Sequence, residues 1–275
     1  MTWGREAPED ECERMYQLAR ERGIRWFDTA SLYQDGEAER ILGRLLAKDP
    51  NREQVMISTK GGYRGQPLLE EVEKSCQRLG VDKVQAYYHH HWHRNIGFAT
   101  PRTSPNEVYQ QVLWDIPKVM KRTRMFGLSN CTAVELALAV HALLPIGCVQ
   151  FHYNLFSRTA EVELVPLAKL LGLAMFGYSP LAAGILTHRL QPTPRMVEDK
   201  RYAKRYDRCG PGFVNPGDAV AWVEAKGVTP IVGARTAEQL HEVLQREQMT
   251  PDDAAVVEMG FRQPPHPLDR PEEDR

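Results

Sequence analysis

The sequence has no dominant charge, no long apolar run and no paired cysteines. Lysine and arginine number 35 against 36 aspartates and glutamates, for a formal net charge of −1. That balance sets up no long-range field to recruit nucleic acid or an anionic membrane. No window is long and apolar enough to span a bilayer, and the opening Met-Thr-Trp-Gly-Arg lacks the apolar stretch of a signal peptide. Cys12, Cys76, Cys131, Cys148 and Cys209 are odd in number and scattered, with no Cys-x-x-Cys pair. They argue against a disulfide framework and for reduced thiols in a cytoplasmic protein. What is present is ordinary globular material: 275 residues, 42% hydrophobic and 26% charged, enough to bury a full core.

Short β-rich runs alternate with amphipathic helical stretches, the pattern of parallel βα units. Strands are predicted at 24–28, 55–60, 84–90, 125–129, 148–151, 173–177 and 229–233. Helices fall between them, with Pro8 in the first turn of the first and Gly23 at its end, and a further stretch from Asn106 bent or interrupted at Pro117. The expected fold class is α/β, a parallel (β/α)8 TIM-type barrel. Only seven strands can be counted; the first of the eight is largely missing, because Met1 to Gly4 is too short. With no internal repeat and no dividing linker, residues 1–263 read as one domain. The polar, Pro-rich 264–275 reads as a disordered tail. The Pro- and Arg-rich stretch Gln191 to Pro216 reads as a long irregular connection, and no helix is expected between Tyr206 and Trp222.

In this architecture chemistry gathers at the C-terminal ends of the strands. Asp28, Lys60, His90, and Ser129 with Asn130 occupy such ends, and Tyr33 lies just beyond Asp28. A tyrosine titrates near 10 in water, so alone it is a poor acid or base at neutral pH. A buried lysine beside it favours the phenolate, and a carboxylate holds that lysine in place. A neighbouring imidazole can polarise a carbonyl oxygen. The four together suit protonation of a carbonyl oxygen while a hydride arrives at carbon.

The same residues sit in ordered motifs. Phe27-Asp28-Thr29-Ala30-Ser31-Leu32-Tyr33, Ser58-Thr59-Lys60, Val81-Asp82 through Tyr87-Tyr88-His89-His90 and Gly127-Leu128-Ser129-Asn130 come first. Gln150 with Tyr153-Asn154, Tyr178-Ser179-Pro180-Leu181, and Gly233-Ala234-Arg235-Thr236 with Glu238-Gln239-Leu240 follow. The series, from about Trp3 to Leu244, resembles the aldo-keto reductase superfamily, nearest to its bacterial, fungal and potassium-channel β-subunit-like branches. The resemblance implies a soluble, NADPH-dependent enzyme that reduces an aldehyde or ketone, or oxidises the alcohol, with a small-molecule substrate. By it Tyr33 is the acid, supported by Asp28, Lys60 and His90. Ser129, Asn130 and Gln150 hydrogen-bond the nicotinamide carboxamide, and Tyr178 stacks on its ring. Ser179 and Leu181 meet the pyrophosphate, while Gly233, Arg235 and Gln239 hold the adenosine end. A guanidinium there suits a 2′-phosphate, hence NADPH over NADH. Val243 stands where the family commonly has an adenine-binding Asn.

Two other readings remain open at this point. His89-His90-His91-Trp92-His93 invites a metal-dependent hydrolase, but strand alternation sends neighbouring histidines to opposite faces and no second ligand cluster completes a shell. On the plainer reading, His89, His91 and His93 are one loop-facing group and two solvated ones. A non-catalytic NADPH-binding regulatory subunit is the other, although it would not require the Asp-Tyr-Lys-His set. Trp3, Tyr63 and Trp92 are candidates for lining a substrate pocket. A barrel short of one strand exposes unpaired edges, so homo-oligomers or self-association are expected.

Overall fold

The apolar runs extend and the amphipathic ones coil in the computed structural model, which describes residues 2–62, 67–91, 114–187, 215–246, 248–250 and 253. All seven predicted strands are there, and the chain forms two compact units. The first comprises Met1–Phe151, Gly172–Ala174 and Gly233–Leu244. The second comprises His152–Leu171, Met175–Val232 and Gln245–Arg275.

The first unit runs α1 (Glu9–Glu21), β1 (Trp26–Asp28), α2 (Glu37–Lys48), β2 (Met56–Gly61), α3 (Leu68–Leu79), β3 (Val84–His89), β4 (Thr123–Ser129), α4 (Ala133–His141) and β5 (Ile146–His152). β1 to β5 pair in parallel in chain order. The register sets Asp28 beside Ser58, Lys60 beside Tyr88, and Ser129 beside Gln150, so polar residues gather near the C-terminal ends of five strands. Helices cover the outer side through stripes at helical spacing. Ile41, Leu42, Leu45 and Leu46 are buried on α2, and Leu68, Val72, Cys76 and Leu79 on α3. The two helices touch at backbone distance, since a Cβ at Gly43 would lie 2.4 Å from the Arg78 carbonyl oxygen. Beside that contact Glu39, fully buried, accepts from Thr59 Oγ1 at 2.6 Å and Arg78 Nε at 2.5 Å. A buried carboxylate persists only when paired in this way.

The N-terminal segment makes no strand; Trp3 forms an isolated bridge with Ala7. It is held instead by residues 234–244. α7 (Ala237–Leu244) packs on α1, Thr2 Oγ1 donates to the Ala234 carbonyl at 2.9 Å, and the Ala237 amide donates to Glu11 Oε1 at 2.5 Å.

The second unit contains α5 (Leu164–Leu170), β6 (Ala174–Tyr178), α6 (Pro216–Ala225) and β7 (Thr229–Ile231), with β6 and β7 parallel. α6 corrects the expectation that no helix lies between Tyr206 and Trp222. Asn215 caps it by accepting from the Gly217 amide at 2.9 Å, and Pro216 occupies its first position, where no amide is needed. Its Trp222 is fully buried, with its ring 5.1 Å from that of Tyr153.

Cys12, Cys76, Cys131 and Cys148 are free and buried thiols. Tyr63, Trp92, His93, Cys209, most of the Gln191 to Pro216 connection and the 264–275 tail lie outside the described residues.

Candidate active site

The register above brings a charged cluster together inside the first unit. Lys60 is buried at the end of β2, where its ammonium donates to Asp28 Oδ2 at 2.5 Å and to the Thr29 carbonyl at 2.7 Å. The same ammonium stands 5.2 Å from the centre of the Tyr33 ring. Burial works against the Lys60 charge, but Asp28 and Tyr33 outweigh it and hold its pKa above the usual lysine value. Lys60 therefore carries its proton through the neutral range.

Tyr33 sits where the chain leaves β1, followed by Gln34 and Asp35 at φ 52° and 51°, a conformation that side chains adopt at a cost. Burial pushes its phenol above the usual value; Lys60 pulls it down and Asp28 pushes it up. The lowering that a lysine neighbour provides is present, yet burial exceeds it. A protonated phenol is the form an acid needs.

His90 follows β3, its amide donating to the Gly61 carbonyl at 2.8 Å, and its ring meets Tyr33 edge-on with centres 5.8 Å apart. Burial first, then Lys60 and the neighbouring histidines, lower its pKa to about 2, so the imidazole is neutral and one nitrogen retains a proton to donate. His91 stacks on it at 4.6 Å. His89 is buried rather than solvated, its ring near Gly62 and Leu68. The pairing of β3 with β2 and the cover of α3 enclose it, which the polar sequence around it did not reveal.

Ser129, Asn130 and Gln150 also end in the first unit. Asn130 takes a left-handed conformation at φ 58°, its amide donating to the Gln150 carbonyl at 3.0 Å and its Nδ2 to the His90 carbonyl at 2.9 Å. Gln150 Nε2 donates to Asp28 Oδ1 at 3.0 Å. Asp28 Oδ1 has a second donor, Ser58 Oγ at 2.6 Å, and Ser58 Oγ in turn accepts from Trp26 Nε1 at 2.9 Å. Sequence reasoning passed over Trp26 and Ser58. Strand alternation was the available signal, since each lies two residues before a site residue and so shares its face.

Arg235 pairs with Glu6 at 2.5 Å, and its amide donates to Gln239 Oε1 at 3.1 Å. A side chain added at Gly233 would enter open space. Tyr178, Ser179 and Leu181 belong to the second unit, where the Tyr178 ring lies 5.2 Å from that of His152 and the Ser179 carbonyl accepts from Asn154 Nδ2 at 2.9 Å. Ser179 has φ 59°, another side-chain-bearing residue in the left-handed region.

The profile of the Aldo/keto reductase family matches residues 1–259. The chain belongs to that family. This aldo-keto reductase is 28% identical to the uncharacterized oxidoreductase YrpG of Bacillus subtilis, over 92% of this chain and 86% of that one. It is 25% identical to the aldo-keto reductase AMT2 of Alternaria alternata, over 91% and 82%. Among solved structures it resembles the glycerol dehydrogenase AKR11B4 of Gluconobacter oxydans, with a TM-score of 0.72 at 23% identity, covering 95% of this chain and 89% of the other. That likeness and the run of parallel strands bear out the β/α-barrel fold class. Family membership makes the chain an oxidoreductase of the carbonyl-reducing, nicotinamide-using kind. No helix among the described residues is long and apolar enough to cross a membrane.

Proposed function

We propose that this aldo-keto reductase reduces an aldehyde or ketone with NADPH, taking the proton from Tyr33. The observation that carries the reading is the buried Lys60 ammonium paired with Asp28 and set against the Tyr33 ring, with the neutral His90 imidazole edge-on to that ring. A pure binding module has no use for such a group. Tyr33 gives its O–H proton to the substrate oxygen, and Lys60 stabilises the phenolate left behind. His90 donates a hydrogen bond to the same oxygen and polarises the carbonyl. Asp28 fixes Lys60 and keeps it protonated.

The donor set fits a nicotinamide cofactor. Ser129, Asn130 and Gln150 offer hydroxyl and amide groups at adjoining strand ends, the chemistry that a carboxamide requires. Tyr178 would supply a stacking face, Ser179 and Leu181 would meet the pyrophosphate, and Gly233, Arg235 and Gln239 would hold the adenosine end. When bound, the nicotinamide supplies the hydride. The guanidinium of Arg235 favours a 2′-phosphate.

Replacing Tyr33 by Phe tests the reading. Cofactor affinity, followed by protein fluorescence, should be kept, while aldehyde reduction falls by at least about a hundredfold, the usual worth of a positioned acid. Turnover close to wild type would overturn the assignment.

A further inference from the structure

Asp28 is central to the cluster, and it is oriented by two residues given no role so far in the chemistry, Trp26 and Ser58. The hydrogen-bond direction along Trp26, Ser58 and Asp28 is fixed by the chemistry of the ends. An indole N–H can only donate, so Ser58 Oγ must accept from Trp26 at 2.9 Å. An ionised carboxylate can only accept, so the Ser58 proton is directed at Asp28 Oδ1, 2.6 Å away. The chain then continues through Asp28 Oδ2 to Lys60 at 2.5 Å. Ser58 is buried, and the pairing of Asp28 with Ser58 in the parallel register holds the hydroxyl at this spot.

We infer that Trp26 and Ser58 are positioning residues for the proton donor: they lock the Asp28 carboxylate toward Lys60 and disperse its charge, which sets where Tyr33 titrates. The inference rests on the function proposed above. Without the Ser58 proton, Asp28 Oδ1 keeps Gln150 as its one donor among the described residues, and more of its negative charge is felt at Tyr33. A negative neighbour disfavours a phenolate, so Tyr33 should lose its proton at higher pH. The other ionisable groups facing this cluster do not confuse the sign. His90 is held neutral by burial, burial keeps Tyr88 well above the usual phenol value, and burial pushes Cys148 up to about 12.

The test is the pH profile of aldehyde reduction at saturating cofactor and aldehyde, in the full chain. Ser58→Ala should move the alkaline limb up by about half a unit to one unit, a fraction of the worth of one hydrogen bond to a charged group because the change reaches Tyr33 only through Asp28, and lower turnover several-fold. Ser58→Thr, which keeps the hydroxyl, should leave the limb in place. Trp26→Phe keeps the ring and loses the N–H, so its smaller shift should have the same sign. The Trp26→Phe/Ser58→Ala double variant should shift no further than Ser58→Ala alone, because Trp26 acts through Ser58. An unmoved limb in Ser58→Ala, or additive shifts in the double variant, would show that the pair only packs the interior. Tyr33→Phe separates the two levels: if it retains turnover, the functional reading fails, whereas an unmoved limb in a Tyr33-dependent enzyme fails this inference alone.

Discussion

Arg235 already holds the Glu6 carboxylate at 2.5 Å, so a phosphate that comes to this guanidinium must displace an existing partner. Both side chains are partly exposed, and such pairs are individually weak, so displacement is affordable. Arg235→Ala should weaken NADPH more than NADH, by roughly 1 to 2 kcal/mol, the low end for a charge-assisted contact because the pair with Glu6 is lost as well. Fluorescence titration with both cofactors measures it, and equal weakening of the two would remove Arg235 from phosphate recognition. Glu6→Gln should act oppositely and tighten NADPH. The clustering of Asp28, Tyr33, Lys60 and His90 was legible because all four fall at or just beyond strand ends, and their joint placement carried a signal that no one of them carries alone. Glu6 was not legible, since its contact spans most of the chain and no local pattern encodes it. The burial of His89 was hidden for a related reason, as it arises from α3 lying over β3 rather than from residues beside it in sequence.

Elements were easier to read than contacts. Short β-rich runs such as Val84–His89 and the stripe of α3 carry their own signal, and strand bounds fall within a few residues of the expected ones. The exception is α6 (Pro216–Ala225), where mean apolarity hides the periodicity because nearly every side is buried, including Ala219, Val220, Ala221, Trp222 and Val223. The start signal, Asn followed by Pro, was present in Asn215-Pro216 and outweighs the absent stripe. This capping has a measurable worth. Asn215→Ala should lower stability by about 1 kcal/mol, and Asn215→Asp or Asn215→Ser should cost much less. Urea denaturation of the three variants is the check, and equal losses in all of them would mean the cap is idle.

For the whole molecule, acid sensitivity follows from histidines folded away from water. Burial lowers His89 to about 3 and His90 to about 2, whereas an unfolded histidine titrates near 6.5. Between those limits the unfolded chain binds more protons than the native one, so stability is full above about pH 6.5 and falls as the pH drops. The slope is at most about 1.4 kcal/mol per pH unit for each histidine. Urea midpoints at pH 7 and pH 5 should differ, and His89→Leu should reduce the difference. Between pH 7 and pH 5 the paired carboxylates stay ionised, so over that interval the histidine effect is read separately. The fastening of α1 by α7 bears on how this chain acquires its structure. Thr2 meets Ala234, and Arg14 reaches Glu238 at 2.5 Å, across more than two hundred intervening residues. Closing a loop of that length costs roughly 5 kcal/mol in chain entropy, recovered only when α7 arrives. During synthesis α1 therefore waits, unlatched, until α7 has been translated.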